Sequence, residues 1–246
     1  MPSAATRLLF KILNYSGRSA PTYAGNVLAI PNIIGYWKLN ETSGTTAANS
    51  TAAGSARDGS YTSVTLAQIT GPSAGMGQAG LWNGTSSTVN IFTASLGGAI
   101  NGDAGTLALW IKVLDSSIWS GTTRFASYLE FADANNQVGH YLAATNTING
   151  RRRAAASTEN SSRTTSTTAW FHFAVTWDKA AGQLYTYLDG VQSTVVAISA
   201  TMSGSLAVAR IGSAAVSSFW SGYLAHAVIA SRALTQVEIT KLATAV

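Results

Sequence analysis

Cysteine is missing altogether from this chain, which excludes both a disulfide framework and a thiolate metal site. Charge is scarce: only 10% of the 246 residues are Asp, Glu, Lys or Arg, against the usual quarter. A surface so poor in charge must be covered by Ser, Thr, Asn and Gln, which suits a particle component or an extracellular module better than a cytosolic enzyme. No apolar run reaches the roughly 20 residues of a membrane span, so no membrane partner is expected. The opening MPSAATRLLFKILNYSGRSAP does not read as a signal peptide, because Lys11 interrupts a very short apolar run. The Asn-x-Ser/Thr matches at Asn14, Asn40, Asn49, Asn83 and Asn160 follow from a Ser/Thr-rich composition and carry no further meaning.

What is present is apolar enough to fold: 46% of residues are hydrophobic, which argues against disorder. The net charge of +5 comes from scattered basic residues, apart from Arg151-Arg152-Arg153 and the early trio Arg7, Lys11 and Arg18. That scatter does not describe a nucleic-acid footprint, and nucleic acid is not expected as a partner. Residues 1–32 read as an N-terminal arm holding three of the four prolines, Pro2, Pro21 and Pro31. From Ile33 onward short β segments alternate with Gly, Ser, Asn and Asp clusters.

The stretch WFHFAVTWD shows the pattern. Phe171, Phe173, Val175 and Trp177 share one face and should look into the core, while Trp170, His172, Ala174 and Thr176 share the other. Asp178 to Gly182 should turn this strand into QLYTYL, and Asp189-Gly190 should make the next turn. Near the end Thr235 and Glu238 have capping-box spacing, so a short helix should carry Val237, Ile239 and Leu242. Many strands, tight turns and one closing helix imply an antiparallel sandwich or jelly roll.

Four segments carry a family likeness: GYWKLNETSGTTAANST (35–51), AGLWNGTSSTVNI (79–91), WFHFAVTWDKAAGQLYTYLDGVQ (170–192) and WSGYLAHAVIASRALTQVEITKL (220–242). In order and spacing they resemble the laminin-G-like, concanavalin A-like jelly rolls. The resemblance implies an all-β fold of two facing antiparallel sheets over residues 33–246, with an extended arm before it and a short C-terminal helix. It implies no single activity, because this fold hosts lectins, adhesion modules, glycanases and structural parts of viral particles.

Calcium needs several hard, mostly charged oxygens. At the matching positions this chain has Asn40, Asn49 and Asn83, and Ala225-His226 replaces the acidic pair of the closing strand. Glu41, Asp58 and Asp189 remain, the last two before glycines, where turns account for them. No metal or other cofactor is therefore expected. Glycanases need two carboxylates facing across the substrate. Glu130 and Asp133 come nearest, but three residues apart they fall on opposite faces of a strand, and a strand end followed by a turn explains them. His140, His172 and His226 are isolated, and no Gly-x-Ser-x-Gly elbow exists. No enzymatic activity is expected.

Sugar binding without metal uses exposed aromatic platforms. Trp37, Trp82, Trp110 and Trp177 lie in strand-like runs and read as core. Trp119 and Trp220 lie between polar turn residues, and His226 at the altered rim, so Trp119, Trp220 and His226 are the carbohydrate-binding candidates. The run Arg151–Arg153, after Asn149-Gly150, reads as a hairpin rim or an anion contact, and most simply as a solvated loop. Arg7, Leu9, Phe10, Lys11 and Ile12 give the arm a basic, apolar character suited to docking on neighbouring chains. The leading expectation is a non-enzymatic virion structural protein of a bacteriophage, a capsid decoration or tail/fibre-associated subunit. Its partners would be other virion proteins and further copies of itself, and its arm would anchor it. The alternative is a carbohydrate-binding or adhesion module at a cell surface, with glycans as partners.

Overall fold

The computed structural model describes residues 22–155, 157–214 and 217–245. The assembly candidates Arg7, Leu9, Phe10, Lys11 and Ile12 lie outside the described residues. In chain order the elements begin α1 (Tyr23–Leu28), β1 (Ile33–Trp37), β2 (Thr46–Ala47), β3 (Gly59–Thr62), β4 (Thr65–Thr70), β5 (Gln78–Asn83), β6 (Thr88–Asn90), α2 (Ala94–Gly97) and β7 (Ala104–Val113). They continue β8 (Arg124–Phe131), β9 (Asp133–Ala144), β10 (Thr147–Ala154), β11 (Ser157–Thr164), β12 (Phe171–Asp178) and β13 (Gln183–Leu188). The last are β14 (Val191–Gln192), β15 (Val196–Ala197), β16 (Leu206–Ile211), β17 (Ser221–Ala230) and α3 (Gln236–Leu242).

The strands form two antiparallel sheets. One has nine strands in the order β14-β13-β12-β7-β17-β5-β4, with β1 beside β17 and β15 beside β13. The other has eight, in the order β11-β10-β9-β8-β16-β6-β3-β2. The expected jelly-roll sandwich is the observed fold. Period-2 alternation sends Leu107, Leu109, Ile111 and Val113 of β7 and Phe171, Phe173, Val175 and Trp177 of β12 into the space between the sheets. Trp37 and Trp82 join them there. Each such side chain removed from water contributes roughly 1.5–3 kcal/mol, so this layer dominates stability.

The opposite face of the nine-stranded sheet is also buried. Trp110 and Ala174 lie there in a second apolar layer with Tyr23 and Val27 of α1 and Ile239 and Leu242 of α3. Tyr23 joins the parts: its hydroxyl donates to the Leu242 carbonyl at 2.8 Å and accepts from Trp110 Nε1 at 3.0 Å. Residues 22–32 thus rest on the sandwich. The capping box of α3 forms as its spacing requires, with Thr235 and Glu238 bonding each other's backbone N–H. Asp189 (φ 50°) and Gly190 (φ 79°) make the left-handed two-residue turn between β13 and β14. Among the described residues, no helix is long and apolar enough to cross a membrane.

Candidate functional site

The outer face of the eight-stranded sheet differs from that of its partner. The helices α1 and α3 pack with the nine-stranded sheet, whereas the apolar material outside the eight-stranded sheet is a small group: Phe125, Tyr128 and Tyr141, with Val208 and Ala214 against them. Strand register builds polar rows around this group. One row crosses all eight strands: Asn160, Arg151, Gly139, Tyr128, Arg210, Asn90, Ser60 and Thr46. A second runs Thr158, Arg153, Gln137, Glu130 and Val208. A third runs Ser162, Asn149, Tyr141 and Phe125. Asn160, Asn90, Ser60 and Thr46 are exposed, and the three arginines are half-buried.

Internal bonds hold the floor of this face. The Tyr141 hydroxyl donates to Asn160 Oδ1 at 3.0 Å, and Ser162 Oγ donates to Asn149 Oδ1. Phe125 stacks on Tyr141 with ring centroids 5.2 Å apart and meets Tyr128 edge-on at 5.4 Å. Gly139 lets them close up: a Cβ there would come 2.6 Å from the Ser127 carbonyl oxygen and 3.3 Å from the Phe125 ring. Burial raises the pKa of Tyr128, and the neighbouring Glu130 raises it further, so its hydroxyl stays protonated and donates to Glu130 Oε2. Above this floor Arg151 lies over the Tyr141 ring, 5.7 Å from its centroid. Beside the first residue of β8, a recess of about 420 Å³ is lined by Gly84, Thr85, Thr123, Arg124, Ser218 and Phe219.

The structure corrects the residues picked from sequence. Trp119 and Trp220 are not exposed platforms: they are 2% and 0% exposed and belong to the core between the sheets. Trp119 Nε1 donates to the Thr167 carbonyl at 3.0 Å, and its ring packs near Phe171. Both plug the sandwich because their flanking polar turns fold over them, which local polarity could not show. His226 is 3% exposed and sits in a bulge of β17 between Ala225 and Val228, with φ 52°. Its Nε2 lies 3.0 Å from the Met76 carbonyl and its Nδ1 2.8 Å from the Tyr36 hydroxyl. A carbonyl only accepts, so Nε2 carries the proton and Nδ1 accepts from Tyr36. Burial lowers its pKa to about 4, with Lys38 adding to the fall and the Met76 carbonyl opposing it.

The positions that the resemblance matched to a metal rim do not converge. His226 and Asn40 line one cavity of about 210 Å³ with Thr22, Tyr23, Lys38 and Met76. Asn49 instead accepts from Tyr36 N–H, and Asn83 Oδ1 accepts from the N–H groups of Thr85, Ser86 and Ser87 in its own turn. A lysine beside an amide and a fully bonded imidazole does not fit calcium, which takes six to eight oxygen ligands. Among the described residues, no three of His, Asp or Glu come together. Glu130 points out from β8, while Asp133 opens β9 and bonds Asn135 N–H and Asn136 Nδ2 in the turn. His140 and His172 are buried, His140 against Phe173 and His172 against Trp110.

Arg151–Arg153 is a strand, not a loop. Alternation turns Arg151 and Arg153 outward and Arg152 inward, where its side chain is 0% exposed and lies between Glu159 (3.6 Å) and Asp103 (4.0 Å). The residues that make up the open face and were missed are Tyr128, Tyr141, Asn160 and Arg210. Only register joins them, and no local motif marks them. The usable signal was the Arg-x-Arg alternation beside the Asn-Gly pair.

Comparison with solved structures shows the same architecture at low identity. Domain 4 of AbnA, a GH43 extracellular arabinanase from Geobacillus stearothermophilus, solved in complex with arabinotriose, is 17% identical. The match has a TM-score of 0.62 and covers 87% of this chain and 98% of that domain. The receptor-binding domain of botulinum neurotoxin mosaic serotype C/D is 10% identical with a TM-score of 0.65, covering 89% of this chain and 51% of that one. Trypanosoma rangeli sialidase is 11% identical with a TM-score of 0.62, covering 88% of this chain and 33% of that one. This chain thus spans about half of the toxin domain and a third of the sialidase. No curated protein matches the sequence. A family profile, by contrast, matches residues 83–240, more than half of the chain, so this protein belongs to the laminin G-type branch of the concanavalin A-like lectin/glucanase superfamily.

Proposed function

We propose that this chain is a non-catalytic carbohydrate-binding module whose ligand lies along the open face of the eight-stranded sheet. The observation that carries this reading is the asymmetry of the two sheets. One outer face is buried under α1 and α3, and the other presents in-register hydrogen-bonding side chains over an aromatic floor. Such a surface suits a polyhydroxylated chain, whose hydroxyls need several fixed donors and acceptors. The arabinanase domain adds support as a family-sized module solved with a bound oligosaccharide. Glu130 supports the non-catalytic reading: it is the one carboxylate in these rows, and it is already bonded by Tyr128. A retaining glycosidase would need a second carboxyl about 5–5.5 Å away.

A panel of immobilised polysaccharides tests the reading. The wild-type chain should be retained on at least one, and Asn160→Ala with Tyr128→Phe should abolish retention with only a small fall in melting temperature from the two lost internal bonds. Retention that survives these changes but is lost in Lys38→Ala would move the site to the cavity beside His226. Release of reducing sugar that is lost in Glu130→Gln would overturn the non-catalytic reading. The virion role concerns where such a module is displayed, and its support is the composition of the arm. Removing residues 1–21, which leaves Tyr23 in place on the sandwich, should abolish incorporation into phage particles; normal incorporation removes that role.

A further inference from the structure

We infer that the ligand of the open face is an anionic glycan, one bearing carboxylates or sulfates, held by Arg151, Arg153 and Arg210. The inference rests on the carbohydrate-binding reading and adds the charge of the ligand to it. Arg57, Arg124, Arg152 and Arg232 all donate to protein oxygens: Ile34 O and Ser95 Oγ, Phe219 O, Ala200 O, and Glu238. Among the described residues, Arg151, Arg153 and Arg210 have no hydrogen-bond acceptor or ion-pair partner, and the Nε of each is shielded from solvent and unpaired. The terminal guanidinium nitrogens are therefore what each arginine offers outward.

Three guanidinium groups share these rows with one carboxylate, so the face keeps a net excess of two positive charges. Glu130 is the lone carboxylate of the rows, and its bond is to the Tyr128 hydroxyl. Placing uncompensated cations together has an electrostatic cost, which an anionic ligand would offset. Register also fixes their spacing. Arg151 and Arg153 are two residues apart on β10, about 7 Å, and Arg151 and Arg210 are three strands apart in one row, about 14 Å. Charges repeated along a polysaccharide match a line of fixed guanidinium groups, and a guanidinium pairs with a carboxylate or sulfate through two parallel N–H···O bonds. The aromatic floor lies beneath Arg151, so a sugar ring approaching from outside meets a cation before a ring face.

Calorimetric titration of the full chain with matched glycans tests this: dextran sulfate against dextran, and polygalacturonate against its methyl-esterified form. At low salt at least one acidic member should bind about tenfold or more tighter than its neutral partner, with affinity falling as salt rises. Arg151→Gln combined with Arg210→Gln should remove about tenfold or more of that affinity at an unchanged melting temperature. Arg163→Gln, the same charge change on the opposite side of β11, should change it by less than about twofold. Binding confined to dextran sulfate assigns the face to sulfate, and binding confined to polygalacturonate assigns it to carboxylate. Equal binding of acidic and neutral partners overturns the anionic inference and leaves the carbohydrate-binding reading standing. Binding to none of the four overturns the inference, and if the polysaccharide panel is also empty the broader reading falls with it. Duplex DNA bound as tightly as the acidic glycans, with the same loss in the arginine variants, assigns the face to nucleic acid and overturns the inference.

Discussion

The Tyr36 hydroxyl donates to Nδ1 of His226 across 2.8 Å, joining the first strand of the sandwich to the bulge of its last, 190 residues later. The imidazole is held from its other side by the Met76 carbonyl and packs edge-on against Tyr23 at 4.8 Å. In Tyr36→Phe the buried Nδ1 keeps no partner. That variant should lose about 1–3 kcal/mol in urea unfolding, and an unchanged midpoint would show that the bond contributes nothing net.

Burial lowers the pKa of all three histidines, to about 3 for His140, about 3 for His172 and about 4 for His226. An unfolded histidine titrates near 6.5, so below that pH the unfolded chain binds more protons than the folded one. The stability held by neutral histidines is complete above pH 6.5 and is lost as pH falls toward 4 and then 3. His172, whose two ring nitrogens have no partner, isolates the effect. His172→Phe should be neutral or slightly stabilising at pH 7, and its melting temperature should fall less between pH 6.5 and 5. Parallel curves for variant and wild type would contradict this.

Arg152 should tolerate only an apolar replacement of similar length. With its side chain shut away between Glu159 and Asp103, Arg152→Ala leaves the partly buried Glu159 without a counter-charge and opens a cavity, at a cost of about 3–5 kcal/mol. Arg152→Met fills the space, and with Glu159→Gln it should recover most of that loss. Equal destabilisation of the Ala and Met variants would show that the charge, not the volume, is what the site needs.

Glu238 closes the capping box of α3 and pairs with Arg232. Arg232 and the Thr235 bonds hold its pKa down at about 2. A depressed carboxylate pKa contributes stability above the unfolded value near 4.3, and this is lost as pH falls from there toward 2. Glu238→Ala should therefore cost about 1 kcal/mol at pH 7 and almost nothing at pH 2. The difference is read by denaturation at the two pH values.

Trp119→Ala and Trp220→Ala should now act on folding. Both rings fill the core between the sheets, so each change should cost about 3–5 kcal/mol whether or not a glycan is present. A variant that keeps its melting temperature and loses only binding would restore the surface role expected from sequence.

Much of the architecture was legible because sheets write themselves into sequence with a period of two. The inward set Phe171, Phe173, Val175 and Trp177, the Asp189-Gly190 turn and the Thr235–Glu238 box all depend on neighbours within a few residues. Trp119 and Trp220 were misread because burial of a residue between polar turns depends on where those turns fold. The outer partner of β12 was not legible either: His172 and Thr176 look like a wet face, yet both are buried in the structure.

What the sequence by itself determined is the sandwich, its turns and its closing helix, since each follows from short-range alternation and capping chemistry. That Asn40, Asn49 and Asn83 bring no charge was also readable, because it is a matter of residue identity. The candidate site was decided only by tertiary structure. Asn160, Arg151, Tyr128 and Arg210 lie on four strands, and hydrogen-bond register alone places them in one row. That register depends on how all eight strands pair, and a single-residue slip would turn the arginines of β10 over, burying Arg151 and Arg153 and exposing Arg152.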